Sequence, residues 1–87
     1  MSLIEVLKRC RALCQTSRDA LWSSTGVSEI VAMLDRGIES LERRAELNRD
    51  ELKLLFAPTG ALQETSMDNG WSCEYLLLSA EFDGLIE

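Results

Sequence analysis

Three cysteines are the residues of this chain with the most specific chemistry, since a thiolate can bind a soft metal or act as a nucleophile. Cys10 and Cys14 stand four residues apart, so a helix would place both on one face, and only Cys73 remains as a third sulfur ligand. Structural zinc needs about four nitrogen or sulfur ligands, and the chain contains no histidine. We therefore expect Cys10 and Cys14 to be buried as small apolar residues, and the odd number of thiols indicates a reducing, cytoplasmic location.

Three glutamates, Glu39, Glu42 and Glu46, form a Glu-x-x-Glu-x-x-x-Glu run that could bind a divalent cation. All-helical nucleotide pyrophosphohydrolases bind magnesium with Glu-x-x-Glu followed downstream by Glu-x-x-Asp, and no later acidic pair here has that spacing. We favour a solvated helix face, on which Glu39 pairs with Arg43 four residues later, over a metal site. We predict no enzymatic activity, no metal and no cofactor, and keep a magnesium-dependent hydrolase as the third alternative.

The net charge of −6 lies entirely in the second half of the chain. Residues 1–47 carry seven basic and seven acidic side chains, whereas residues 48–87 carry two basic and eight acidic ones. This sign disfavours direct binding to nucleic acid or to an anionic membrane, and it favours a basic protein partner.

Neither a membrane span nor a secretory signal is expected. The longest apolar runs, residues 54–57 and 76–78, are far shorter than the roughly 18 residues that cross a bilayer. Near the N-terminus, Glu5 and several basic residues interrupt the stretch that a signal peptide would keep apolar.

The first half of the chain predicts two helices. Ser2 and Glu5 form a capping-box pattern, and apolar spacing predicts helix 1 from about residue 2 to 16, with residue types compatible with an extension through Ala20 to Trp22. A Ser-Ser-Thr-Gly turn at residues 23–26 follows.

Helix 2 is predicted from an apolar stripe that runs from Val27 to Ala45, with Ser24, Thr25 or Ser28 as its cap. Gly37 inside this helix costs about 1 kcal/mol relative to alanine. We expect it to mark close packing against helix 1.

The second half predicts two more helices. Asn48 and Glu51 repeat the cap-plus-acid spacing and begin helix 3, which Pro58 ends near Phe56. Residues 59–66 are interpreted as a short helical turn that places Leu62 on the core, within an irregular connection.

An Asp-Asn-Gly turn at residues 68–70 precedes helix 4, for which Ser72 is the predicted cap. Its inward stripe consists of Tyr75, Leu78, Phe82 and Leu85, widened by Leu76, Leu77, Ala80 and Ile86. The predicted fold is all-α: one domain over residues 1–87, forming a compact bundle of about four helices with an irregular loop between helices 3 and 4.

Acidic and aromatic side chains come together on and after the turn that precedes helix 4. Trp and Tyr dominate the hot spots of protein interfaces, and carboxylates steer a basic partner. The predicted partner-binding residues are Glu64, Asp68, Asn69, Trp71, Glu74, Tyr75, Glu81 and Asp83. For Trp71 itself, size and position before the helix favour the core over the interface.

Residues 51–64 (ELKLLFAPTGALQE), followed by Asp68-Asn69-Gly70-Trp71, resemble small helical bacterial immunity proteins that accompany polymorphic and contact-dependent toxins. The resemblance covers about residues 50–83 and includes no catalytic signature. It implies a cytoplasmic protein that binds and neutralises a cognate toxin, often a basic nuclease. The clustered negative charge suits that role.

Two hypotheses of different kinds follow. The first is a non-enzymatic binding protein whose acidic second half meets a basic toxin domain. The alternative is a self-associating structural module, in which an exposed apolar edge such as Leu77 and Ile86 builds a homodimer.

Overall fold

The computed structural model describes residues 1–20, 25–58 and 60–86. These ranges contain five α-helices and no β-strand, which confirms the all-α prediction. In chain order the helices are α1 (Leu3–Gln15), α2 (Val27–Glu42), α3 (Arg49–Leu55), α4 (Ala61–Asp68) and α5 (Ser72–Leu85). The prediction of about four helices did not count α4, because only a short helical turn over residues 59–66 was expected within an irregular connection.

The most extensive contact joins α1 and α2, and α1 also packs against α5. Helix α4 packs against α5 and α2, and α3 packs against α2. The side chains that are buried almost completely in this core are Val6, Leu7, Cys10, Cys14, Ile30, Leu34, Leu52, Leu62 and Phe82. No helix in the described ranges is both long enough and apolar enough to cross a bilayer.

Two helix starts follow their predicted local signals. The Ser2 hydroxyl accepts the Glu5 N–H at 3.3 Å, and the Glu5 carboxylate accepts the Ser2 N–H at 2.9 Å, which completes the capping box. The Asn48 side chain accepts the Glu51 N–H at 3.1 Å. Both predicted caps are confirmed. They could be predicted because each bond joins residues only three positions apart in the sequence.

The start of α2 differs from the prediction. Its N-cap is Gly26, so caps by Thr25 or Ser28 are wrong, and Ser24 lies outside the described residues. A carboxylate oxygen of Asp19 accepts the Val27 N–H at 2.7 Å instead. The acceptor therefore comes from the end of the preceding segment, eight residues earlier.

Helix α1 ends at Gln15, and the extension through Ala20 is wrong; Trp22 lies outside the described residues. The Ser17 hydroxyl donates to the Leu13 carbonyl oxygen at 2.7 Å. Such a side-chain bond competes with the helical ladder, and the chain leaves the helix here.

Helix α2 ends at Glu42 rather than reaching Ala45. Arg44 adopts a left-handed conformation with φ of 55°, and the Ala45 N–H donates to the Ser40 carbonyl oxygen at 2.8 Å. This reversal closes the helix and leaves Ala45 exposed.

Helix α4 begins directly after Gly60, where a Cβ atom would lie 2.8 Å from the Ala57 carbonyl oxygen, so the chain can pass only with glycine. Leu62 is fully buried, as predicted. The turn after α4 contains Gly70 with φ of +80°, which confirms the predicted Asn-Gly turn.

Helix α5 has Trp71 as its N-cap and Ser72 as its first helical residue, so the predicted cap was one residue too late. Tyr75, Leu78 and Phe82 are buried, and the Phe82 ring stacks on Phe56 with centroids 3.9 Å apart. Leu76 and Leu77 do not widen the inward stripe, because they lie on the solvent side of the helix.

Gly37 marks the point where three helices approach one another. A Cβ atom there would lie 3.1 Å from a methyl carbon of Leu7 on α1 and 3.2 Å from one of Leu52 on α3. Packing against helix 1 was predicted, whereas the contribution of α3 was not. A Cβ atom at Gly84 in α5, by contrast, would meet no atom within 4 Å.

The surroundings of Gly37 and Gly84 predict different effects on stability when each is replaced by alanine. Gly84→Ala should raise the free energy of unfolding by about 0.5 to 1 kcal/mol, because alanine favours helix and has room there. Gly37→Ala should lie about 1 to 3 kcal/mol below Gly84→Ala, because the added methyl group overpacks the core. Urea denaturation of both variants measures this difference, and equal stabilisation would contradict the packing at Gly37.

Candidate functional site

The eight predicted partner-binding residues do not form one surface. Two lie in the core, Trp71 and Tyr75. Two others bind groups of the chain itself, Asn69 and Glu74. The remaining four residues are carboxylates at the surface. Glu64 is half-buried, and the other three, Asp68, Glu81 and Asp83, are exposed.

Both predicted aromatic contacts face inward. The Trp71 indole N–H donates to the Ser17 hydroxyl at 2.9 Å, and its ring is 9% exposed, which confirms the core position. The Tyr75 hydroxyl donates to the Phe56 carbonyl oxygen at 3.3 Å, and burial raises the pKa of Tyr75. Neither ring is therefore placed for contact with a partner.

Asn69 clamps the segment that follows α1. Its side-chain oxygen accepts the Arg18 N–H at 2.9 Å, while its amide nitrogen donates to the carbonyl oxygens of Arg18 and Thr65 at 2.8 and 2.9 Å. With the Trp71–Ser17 bond, this fixes the α4–α5 turn to the end of α1. The turn predicted as a docking loop has a structural role within the chain.

Glu74 joins the first turn of α5 to α1. Arg9 donates to both carboxylate oxygens, with Nη2 to Oε1 at 2.9 Å and Nε to Oε2 as the second bond. These bonds hold the pKa of Glu74 below its usual value of 4.5. The side chain keeps 38% exposure, so one edge of the carboxylate still faces solvent.

Ion pairs connect the helices where they meet. Arg11 contacts Asp35 at 2.8 Å, which joins α1 to α2. Arg36 contacts Glu51 at 3.1 Å, which joins α2 to α3. Basic residues of the first half therefore pair with acids of both halves at these helix contacts.

The glutamate run of helix 2 does not converge on a cation site. Glu42 contacts Lys8 at 3.5 Å, Glu39 contacts Arg43 at 3.3 Å, and Glu46 lies beyond the end of α2. Within the part of the chain that the structure describes, no three Cys, Asp or Glu side chains are grouped to hold a metal ion.

The cysteines divide as predicted. Cys10 and Cys14 are fully buried, and burial raises the pKa of their thiols to about 12 and about 11. Both thiols therefore stay protonated and pack as apolar groups. Cys73 is exposed in the first turn of α5.

The solvent side of α5 carries large apolar side chains. Leu76 is 62% exposed and Leu77 is 72% exposed, next to each other on a helix whose opposite side is already in the core. Ala80 and Gly84 lie on the same outward side and are also exposed. Single exposed apolar residues are ordinary, whereas a contiguous exposed patch is typical of an interaction site.

Leu77 lies in a groove of about 650 Å³ between α5 and the start of α1. The residues that line it, called the α5 groove below, are Met1, Glu74, Leu77, Leu78, Ala80, Glu81, Gly84 and Leu85. Its charged side chains are two glutamates, both among the predicted site residues. The apolar part of this groove was not predicted from the sequence. Leu76 and Leu77 were the available signal, because they are out of phase with the stripe of Tyr75, Leu78 and Phe82 that α5 buries.

A second groove of about 710 Å³ runs along the other side of α5, beside α3. Leu76 and Asp83 line it together with Lys53. The second groove therefore has both a basic and an acidic side chain, whereas the charged side chains of the α5 groove are both acidic.

The Asn69 clamp predicts a loss of stability. Asn69→Asp keeps the acceptor for Arg18 N–H but turns two donated hydrogen bonds into contacts between oxygen atoms. We expect the free energy of unfolding to fall by about 1 to 3 kcal/mol, measured by urea denaturation. Asp83→Asn, at an exposed residue of α5, is the control, and equal stability of both variants would refute the clamp.

The Arg9–Glu74 pair predicts a dependence on pH. Because the folded-state pKa of Glu74 is depressed, its stabilisation is present above about pH 4.5 and is lost as the pH falls through the folded value. A double-mutant cycle of Arg9→Gln and Glu74→Gln should give favourable coupling near pH 7 that decreases steadily as the pH falls below 4.5. Coupling that persists at low pH would contradict the assignment.

Comparison with known proteins leaves the resemblance noted in the sequence as a prediction. No protein-family model matches this chain. No curated protein and no solved structure matches it either.

Proposed function

We propose that this chain is a non-enzymatic protein-binding module, and that a basic protein partner docks on the outward side of α5. The observation that carries the proposal is Leu77, which is 72% exposed in a groove whose charged side chains are Glu74 and Glu81. Burial of Leu77 by a partner would contribute about 1.5 to 3 kcal/mol.

The charge of the surrounding chain supports a basic partner. No Lys or Arg follows Lys53 in the sequence, so every charged side chain of α4 and α5 is acidic. Glu81 and Asp83 are exposed, and neither is in an ion pair with another described residue. Exposed carboxylates around an apolar centre match the usual division between a polar rim and an apolar core of an interface.

The shape of the groove favours a protein over a small molecule. Sites for small ligands are concave and enclose most of the ligand. The α5 groove is instead open to solvent and lined mainly by α5, and its Leu77 side chain is largely exposed. A broad convex or helical partner surface is the better fit.

The resemblance to bacterial immunity proteins suggests what kind of protein the partner is. A cognate toxin domain that acts on nucleic acid carries basic residues, and an acidic inhibitor both attracts and covers such a surface. We propose that the partner is such a toxin domain, and that the chain neutralises it by binding rather than by catalysis.

Self-association through α5 is the competing proposal, and two observations weigh against it. Ile86, which was expected on an exposed apolar edge, is buried. Two copies that paired the same face would also bring Glu81 and Asp83 towards the same acidic residues, since α5 contains no basic side chain.

Substitution at Leu77 tests the proposal against a matched control. Leu77→Asp should abolish protection when the chain is co-expressed with the toxin domain encoded by the adjacent gene, because an aspartate would be buried there without a partner. Leu54→Asp should leave protection intact, since Leu54 on α3 is also 72% exposed. Circular dichroism and thermal melts confirm that both variants fold.

Binding of the purified toxin domain gives the quantitative form of this test. Titration calorimetry should show at least a tenfold loss of affinity for Leu77→Asp and less than a twofold change for Leu54→Asp. Equal affinities of the two variants would show that the partner does not bind at Leu77 on α5. A wild-type chain that neither protects cells nor binds any product of the adjacent genes would refute the proposed function.

A further inference from the structure

We infer that the partner inserts an α-helix lengthwise into the α5 groove, with lysine or arginine side chains beside Glu81 and Glu74. This inference deepens the proposed function and rests on it. It specifies the shape and charge of the segment that the partner must contribute.

The spacing of the exposed residues on α5 is the first argument. Cys73, Leu77, Ala80 and Gly84 follow one another at intervals of four, three and four, and all four are exposed. This alternation matches the spacing of a seam between two helices packed side by side, and the four residues are called the seam below. The seam spans about three turns, roughly 16 Å, which is enough for a partner helix of similar length.

Gly84 supplies an independent argument. Glycine inside a helix costs up to about 1 kcal/mol relative to alanine, and at Gly37 the contacts with Leu7 and Leu52 account for that cost. At Gly84 no described atom lies within 4 Å of a Cβ atom, so no contact among the described residues requires glycine. The absence of a side chain at Gly84 leaves room for close approach of a partner backbone at this end of the seam.

The charges fix the chemistry of the inserted helix. Glu74 and Glu81 are seven residues apart, so they lie two turns apart along the same side of α5 and both line the groove. Arg9 already binds Glu74, whereas Glu81 is in no ion pair with a described residue. A basic side chain of the partner should therefore depend more on Glu81 than on Glu74.

A synthetic peptide tests the inference without the natural partner. The probe is a stapled helical peptide of about three turns with a leucine and alanine seam and flanking lysines, and its control twin carries glutamates in place of the lysines. Cys73 reports occupancy, because it is the exposed thiol at one end of the seam while Cys10 and Cys14 are buried. We expect the lysine peptide to slow alkylation of Cys73 by N-ethylmaleimide at least fivefold, and the glutamate twin to leave the rate unchanged.

Gly84→Leu is the decisive variant. Leucine favours helix and has room at this position, so the variant should fold at least as stably as the wild-type chain, while its side chain blocks the seam. Peptide protection of Cys73 should disappear in Gly84→Leu and fall at least threefold in Glu81→Gln. Ala12→Leu, at an exposed alanine of α1, is the matched control and should retain full protection.

The outcomes separate this inference from the proposed function. If Leu77→Asp loses protection against the toxin domain while Gly84→Leu keeps it, the partner binds α5 without a helix in the seam, and the inference alone fails. Peptide protection that is equal for the lysine and glutamate forms, or unaffected by Gly84→Leu, also overturns it. Sedimentation that reveals a dimer dissociated by Gly84→Leu would assign the seam to a second copy and overturn the basic partner.

Discussion

Burial of one side of α5 against α1 and α4 decides which apolar side chains reach solvent. Tyr75, Leu78 and Phe82 fill the core, so helical geometry turns Leu76 and Leu77 outward. The described residues leave that outer side uncovered. The exposed face is thus a consequence of the same packing that stabilises the fold, and it is the basis of the proposed docking surface.

Electrostatic pairing has a complementary effect on charge. The basic residues of α1 and α2 contact acids on neighbouring helices, and Arg9 fixes the start of α5 through Glu74. Exposed pairs of this kind contribute little to stability individually, and within α5 they leave Glu81 and Asp83 without an ion pair to a described residue. Glu81 in the α5 groove and Asp83 beside it are consequently placed to attract a basic partner.

Local signals in the sequence predicted local structure, and long-range contacts account for most of what it missed. The caps at Ser2 and Asn48 depend on residues three positions away and were predictable. The bond from Asn69 to Arg18 spans 51 positions, so a turn that resembled a docking loop proved to be a clamp within the chain. The acidic character of the site could be read from composition, whereas the exposure of Leu77 depends on how α5 packs.

Methyl NMR of the leucine side chains, recorded while the basic toxin domain is added, tests the central claim most directly. Leu77 and Leu54 have equal exposed fractions on different helices, so each serves as the reference for the other. The account predicts that the Leu77 methyl signals shift and broaden at a ratio of one to one, while those of Leu54 stay unchanged. Perturbation of Leu54 with unchanged Leu77 signals would contradict it.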